Sequence, residues 1–317
     1  MQAEFLVTGG AGFIGSNIVR PLVQAGRSVR VLDNLATGRS ANFDGVLDRI
    51  DFRPGDVRDL AGLTAAAGGV RCLLHLAALP SVVASVEDPA GTHAVNLTGT
   101  LNALIAARDA RVERVVFSSS SAIYGNRPEL PKRETMEPAP LSPYAVHKLA
   151  GEYYGRLFHD LYGVRAFSLR YFNVFGPRQN PASQYAAVIP RFVEALLQGR
   201  PPVIYGDGRQ TRDFVFVDDV VRANLRCCEA PEGAAGTVCN IAAGQRISIT
   251  ELARTLMRLM GVAGEPAHEP ARPGEVLDSQ ADIGRARDVL GWTPQVDLET
   301  GLRQTIAWFR EALGKAP

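Results

Sequence analysis

The chain has 317 residues, 46% of them hydrophobic and 21% charged, with a formal net charge of +1; this fits a globular protein of one large domain or two and excludes a disordered chain. A near-neutral balance offers no overall field for nucleic acid or an anionic membrane, and no apolar run reaches the ~18 residues of a membrane span. The cysteines (Cys72, Cys227, Cys228, Cys239) form no C-x-x-C pair and the five histidines show no ligand spacing, so buried free thiols, a satisfied core His75 and no metal are expected.

Met1-Gln2-Ala3-Glu4 leads directly into an apolar run with no signal-peptide pattern, so a cytoplasmic protein is expected. Residues 4–8 read as a first strand and 13–25 as a first helix. Between them runs Thr8-Gly9-Gly10-Ala11-Gly12-Phe13-Ile14-Gly15. Glycines at 9, 12 and 15 suit a dinucleotide fingerprint: one for the tight turn, one for close approach of backbone to a pyrophosphate, one for packing helix on strand. The helix N-terminus then offers free N–H groups to the phosphates. A second strand at 28–32 ends at Asp33, where a carboxylate accepts from the adenosine ribose hydroxyls and repels a 2′-phosphate; NAD is therefore expected rather than NADP.

Further strands are expected at 50–53, 72–76, 114–118 and 165–170. Helices are expected at 92–109 and 144–161, with the Ala-rich 61–67 a helix end. This βαβ rhythm implies an α/β fold: a Rossmann doubly wound parallel sheet that binds ligands beyond the carboxyl ends of its strands. The rhythm breaks after Arg170, where Gly, Pro and polar residues crowd 176–183. The NAD-binding domain is then 1–173, and 174–317 forms a smaller α/β substrate-binding domain. The strand–helix–strand reading of 212–216, 217–228 and 237–241 lets 212–241 rejoin the first sheet.

Tyr144 and Lys148 stand at i, i+4 in a helix that Pro143 suits at its first turn. A tyrosine that acts as a base near neutrality must drop about three pKa units, about 4 kcal/mol of differential stabilisation. A neighbouring ammonium and a nicotinamide cation favour the phenolate. Ser118-Ser119-Ser120-Ser121 ends the fifth strand, where a hydroxyl can share a proton with the phenol and a substrate oxygen. At least one of the four serves as an ordinary polar strand end or helix cap.

The glycine turn, Tyr144-x-x-x-Lys148, Leu169-Arg170-Tyr171-Phe172-Asn173 and Gly206-Asp207-Gly208-x-x-Thr211-Arg212-Asp213-Phe214 together resemble the extended short-chain dehydrogenase/reductases. Within them the chain is similar to the nucleotide-sugar 4-epimerases, the UDP-glucose and UDP-N-acetylglucosamine 4-epimerase group, from the first strand to about Trp308. The resemblance implies catalytic Ser120, Tyr144 and Lys148. It implies NAD contacts from Gly9, Gly12, Phe13, Ile14, Gly15, Asp33, Asn34, Asp56, Val57, Leu76, Ala77, Ala78 and Tyr171, besides Tyr144 and Lys148. Ser81, Ser120, Ser121 and Tyr144 are implied at the sugar, Asn173 at the diphosphate, and Ala187, Val188, Val203 and Tyr205 at the uracil. Arg212 and Arg272 are implied as a diphosphate clamp, for which a planar bidentate guanidinium is suited.

Glu275 stands where the family usually has Asp, and the resemblance implies it at the substrate ribose. Ser279 stands at a gatekeeper position where a tyrosine excludes N-acetyl groups, whereas Ala84 replaces an arginine of the members specific for N-acetylated sugars. Tolerance of both sugar types follows, as does a homodimer built on the helices at 92–109 and 144–161. The resemblance implies C4 epimerisation of a UDP-hexose through a 4-keto intermediate. A UDP-glucuronate 4-epimerase or decarboxylase and a 4,6-dehydratase are the alternatives; the dehydratases resemble Thr-Asp-Glu where this chain has Ser119-Ser120-Ser121. Outside enzymes, the alternative is an NAD-sensing scaffold on the same fold.

Overall fold

The first strand, Phe-Leu-Val-Thr, is buried along its whole length, as a strand covered on both faces of a parallel sheet must be. The computed structural model describes residues 3–180, 187–271 and 277–314. The first half runs β1 (Phe5–Thr8), α1 (Phe13–Gln24), β2 (Val29–Asp33), β3 (Asp51–Pro54), α2 (Leu60–Ala67), β4 (Cys72–His75), α3 (Val82–Glu87), α4 (Pro89–His93), α5 (Gly99–Asp109), β5 (Arg114–Ser120), α6 (Pro143–Tyr162) and β6 (Arg165–Tyr171). The second runs β7 (Asn173–Phe175), α7 (Val188–Leu197), β8 (Val203–Tyr205), β9 (Thr211–Arg212), β10 (Phe214–Phe216), α8 (Val217–Glu229), β11 (Val238–Ile241), β12 (Ile247–Ser248), α9 (Ile249–Met260), β13 (Ala267–Glu269), α10 (Gly284–Leu290) and α11 (Leu298–Ala312).

Among the described residues, a seven-stranded sheet has the order β11-β6-β5-β4-β1-β2-β3, every pair parallel. The chain runs outward from β1 to β3, then restarts at β4 on the other side. The carboxyl ends of β1 and β4 therefore flank the crevice in which doubly wound sheets bind ligands. One face of the sheet packs on α1 and α8 through residues such as Ile18, Leu22, Val220 and Cys227. The other packs on α2 and α5 through Leu63, Ala66, Ala103 and Ala107. A third core joins α7, α9 and α11 through Phe192, Leu252, Leu256 and Phe309. The parallel pair β7–β10 meets this core at Phe175 and Phe216, while Val174 touches the first core as well.

The expected strand at 212–216 divides into β9 and β10, neither of which enters the large sheet; β11 does, beside β6. The helix expected over 92–109 also differs. Its chain enters through α4, widens into a π turn over Ala94–Thr98 and continues as α5. The wider turn coincides with Asn96, whose amide accepts from Leu79 N–H at 2.7 Å and donates to the Leu79 carbonyl at 3.1 Å. An irregular turn thus braces the loop after β4, a common use of π-bulges near sites. Among the described residues no helix is long and apolar enough to cross a membrane.

Candidate active site

Each glycine of the turn after β1 has a separate steric reason. Gly9 has φ +69°, and a Cβ there would lie 2.6 Å from Ala77 N. A Cβ on Gly15 would lie 2.3 Å from the Gly9 carbonyl oxygen, so only glycine lets α1 approach the turn this closely. Gly12 caps α1 without a side chain, leaving the first-turn N–H groups as donors to an anion. At the end of β2, Asp33 Oδ2 accepts from Ala11 N–H at 2.9 Å and Oδ1 from Leu35 N–H at 2.8 Å, which fixes the carboxylate beside the turn. Asn34 donates to Asp56 at 2.9 Å, and the Arg58 guanidinium, at 2.7 Å, holds Asp56 well below the usual carboxylate range.

Tyr144 and Lys148 project from the first turns of α6. Ser142 caps this helix by accepting from Ala145 N–H at 3.2 Å, Pro143 is its first residue, and Tyr144 N–H donates to Ser85 Oγ at 3.1 Å. Lys148 is 3% exposed. Its Nζ donates to the Ser118 carbonyl at 2.6 Å and sits 5.8 Å from the Tyr144 ring centre. Burial pulls the ammonium down to about 7. Burial pushes the Tyr144 phenol up, opposed by a hydrogen bond with Ser120. His75 accepts from Thr8 at Nδ1 and, because Thr100 Oγ1 donates to the Asn96 carbonyl, carries its proton on Nε2. Burial and the neighbouring Lys148 push His75 down to about 3, so it is neutral.

The Lys148 ammonium over the Tyr144 ring favours a phenolate, while burial of both groups opposes charge on either. A second positive charge in the cleft, such as an oxidised nicotinamide, would favour the phenolate further, and the glycine turn with Asp33 has the form of a dinucleotide cradle.

The serines at the end of β5 divide their work. The Ser118 carbonyl takes Lys148, Ser119 Oγ donates to Glu152 at 2.5 Å, and Ser120 stands with Tyr144. Ser121 opens a short 3-10 turn. A cleft of about 1050 Å³ runs from the glycine turn past Tyr144 to the small strands. It is lined by every expected cofactor residue and by Ser81, Ser120, Asn173, Ala187, Val188, Val203, Tyr205 and Arg212. Ser121 and the half-buried Ser279 are not in its lining; Ser279 N–H donates to the Thr211 carbonyl, next to Arg212. Arg272 and Glu275 lie outside the described residues.

Sequence reasoning missed four cleft arginines. Arg191 lies over the Tyr205 ring at 5.2 Å, Arg178 donates to Asn17 at 2.7 Å, Arg39 donates to Asn180 at 2.7 Å, and Arg58 donates to Asp56 at 2.7 Å. Only Arg191 carried a usable signal, standing three residues after Val188 at helical spacing.

Residues 5–242 match the family model described as the NAD dependent epimerase/dehydratase family. The chain is 43% identical over 310 residues to the UDP-glucose 4-epimerase of Mycolicibacterium smegmatis, covering 96% of this chain and 98% of that protein. The structure of a UDP-N-acetylglucosamine 4-epimerase from Methanobrevibacter ruminantium M1, in complex with UDP-N-acetylmuramic acid, superposes with a TM-score of 0.93 at 38% identity, covering 98% of this chain and 100% of that one. The UDP-glucose 4-epimerase of Thermus thermophilus in complex with NAD gives a TM-score of 0.87 at 39% identity, covering 97% of this chain and 99% of that one.

Removing the buried ammonium has a pH signature. The folded pKa of Lys148, about 7, lies below the unfolded value of about 10.4, so its burial penalty is complete below pH ~7 and is relieved as pH rises towards ~10. The melting temperature of cofactor-free Lys148→Met relative to wild type is therefore highest below pH ~7 and declines between about 7 and 10. A difference independent of pH contradicts the burial of a charged lysine.

Proposed function

Because the chain belongs to the NAD dependent epimerase/dehydratase family, we propose that it inverts C4 of a UDP-hexose through a 4-keto intermediate, with NAD as cofactor. The observation that carries this reading is a single cleft in which Ser120, Tyr144 and Lys148 lie between a dinucleotide cradle and a pocket edged by Val203, Tyr205 and Arg212.

Tyr144 Oη takes the proton of the sugar 4-hydroxyl, Ser120 relays it, and Lys148 lowers the cost of the phenolate. NAD, which the glycine cradle and Asp33 would hold, would supply a reversible hydride acceptor at the one carbon, with no net redox. Arg212 holds the diphosphate, with Arg272 as its expected partner. The nucleotide stays fixed while the sugar turns its other face to Tyr144. Asp33 holds the adenosine ribose, and Ala187, Val188, Val203 and Tyr205 receive the uracil. Residues 1–173 with α8 and β11 serve the cofactor, and the remainder of 174–317, Arg212 included, the nucleotide sugar.

The same reading extends to a homodimer. Val146, Tyr153, Leu157 and Leu161 leave an apolar outer face on α6, between 47% and 67% exposed. A second copy would cover such a face. Sedimentation of the purified protein at micromolar concentration is expected to give twice the monomer mass, and a monomer mass contradicts the dimer.

Incubation with UDP-glucose or UDP-galactose without added NAD, followed by NMR of C4 configuration, tests the activity itself. Tyr144→Phe is expected to fold, retain NAD and lose at least a thousandfold in turnover, because only the proton transfer is removed. Turnover within tenfold of wild type removes Tyr144 from the reaction. Acceptance of UDP-GlcNAc and UDP-GalNAc beside the plain hexoses is part of the reading. Ser279→Tyr is expected to reduce kcat/KM for UDP-GlcNAc by roughly tenfold or more beyond its effect on UDP-glucose, since overfilling penalises the larger 2-substituent. Equal losses on both sugars refute the gatekeeper.

A further inference from the structure

Lys148 and Glu152 stand four residues apart on α6, and both are buried. Opposite charges at this spacing share a helix face with Cβ atoms about 5–6 Å apart, and in a low dielectric they pair when free to do so. Here they go to different partners. Nζ of Lys148 donates to the Ser118 carbonyl at 2.6 Å. The Glu152 carboxylate accepts from Arg170 Nε at 2.8 Å, Arg170 Nη2 at 2.7 Å and Ser119 Oγ at 2.5 Å. Arg170 reaches it from β6 with its own side chain 5% exposed, and its guanidinium lies 4.8 Å from the Tyr124 ring centre. The Tyr124 hydroxyl donates to Asn240 Oδ1 at 2.7 Å, which holds the far side of the stack.

We propose that Arg170 is a positioning residue that keeps the Glu152 carboxylate from capturing Lys148, so that the ammonium stays at Ser118 beside Tyr144. This rests on the reading of Tyr144 and Lys148 as the reacting pair. A bidentate guanidinium matches a carboxylate better than an ammonium does. Without Arg170, a buried carboxylate bonded to one hydroxyl must find another cation, and the adjacent one on its own helix is Lys148. Capture draws Nζ from the phenol and neutralises the positive field that favours phenolate. The other titratable groups facing Lys148 are Tyr144 and His147 on α6 and His75 on β4. Burial and Lys148 push His75 down, and burial, the neighbouring His93 and Lys148 push His147 down, so neither replaces its charge. At the Arg170 end stand Tyr124 and Glu134; Glu134 is occupied by Asn240 N–H at 2.7 Å.

The test is a spectroscopic titration of the Tyr144 phenol in NAD-loaded protein, with Tyr144→Phe as the blank, alongside pH–rate profiles. In Arg170→Met the phenol midpoint is expected to rise by about one unit, with roughly tenfold lower kcat near pH 7 and KM within about threefold of wild type. In Glu152→Gln/Arg170→Met no carboxylate competes, so midpoint and kcat should return to within about threefold of wild type. A wild-type midpoint in Arg170→Met, or a double variant as displaced as the single one, overturns the proposal. Should Arg170→Met fail to fold, the double variant decides alone: a wild-type midpoint supports the proposal and a raised one overturns it. Absence of turnover in wild type would overturn the epimerase reading, while the phenol titration still decides the role of Arg170.

Discussion

Lys148 carries an ammonium into a place where water is excluded and, among the described residues, no carboxylate meets it; much of the cleft follows from that constraint. A buried cation held by neutral groups, the Ser118 carbonyl and hydroxyl and the Phe117 ring face, is costly, which is why burial draws it down to about 7. The cost is useful beside a phenol that burial drives in the opposite direction. A positively charged ring in the cleft would favour the phenolate further. His75, close enough to feel Lys148, is kept neutral between Thr8 and Thr100 and adds no competing charge.

Much of the junction between the second lobe and this centre is gathered on one buried side chain, Asp213. Asp213 is fully buried, and its carboxylate accepts N–H groups from Ala243, Gly244 and Ala281. Three segments distant in sequence are thereby gathered on one residue, between Arg212 and Phe214, both of which line the cleft. Asn173 N–H donates to the Asp213 carbonyl beside the β7–β10 ladder, so β7 is joined to the segment that directly follows Arg212. Buried carboxylates satisfied by backbone donors keep such junctions specific, since each donor would be costly to leave unpaired.

Much of the large sheet was legible because its strands are short, apolar and bounded by turns. The helix expected at 144–161 lies within α6, with its Ser142 cap and first-turn Pro143 in place. The π turn at Ala94–Thr98 was not legible: its sequence has ordinary helical character, and the extra residue answers to the Leu79 backbone across the loop. The helix expected at 217–228 is α8, but α7, α9, α10 and α11 escaped notice, although α9 carries a capping box at Ser248 and Glu251. That lobe lacks the βαβ rhythm that made the first half readable.

By itself the sequence determined whatever depends on spacing within one element. The three glycines, Asp33 at the end of a strand and the i, i+4 placement of Tyr144 and Lys148 are local geometry, set by backbone turns and helical pitch. Only the tertiary structure decided the partners. Four consecutive serines look alike in sequence, yet Ser118 receives Lys148, Ser119 binds Glu152 and Ser120 meets Tyr144, because β5 lies against α6 at one particular height. The pairing of Arg170 with Glu152, of Thr8 with His75 and of Asn17 with the loop at Pro177 joins residues 18, 67 and 160 positions apart. Such contacts depend on how layers pack, and a periodicity that repeats every two or 3.6 residues carries no information about distances between layers.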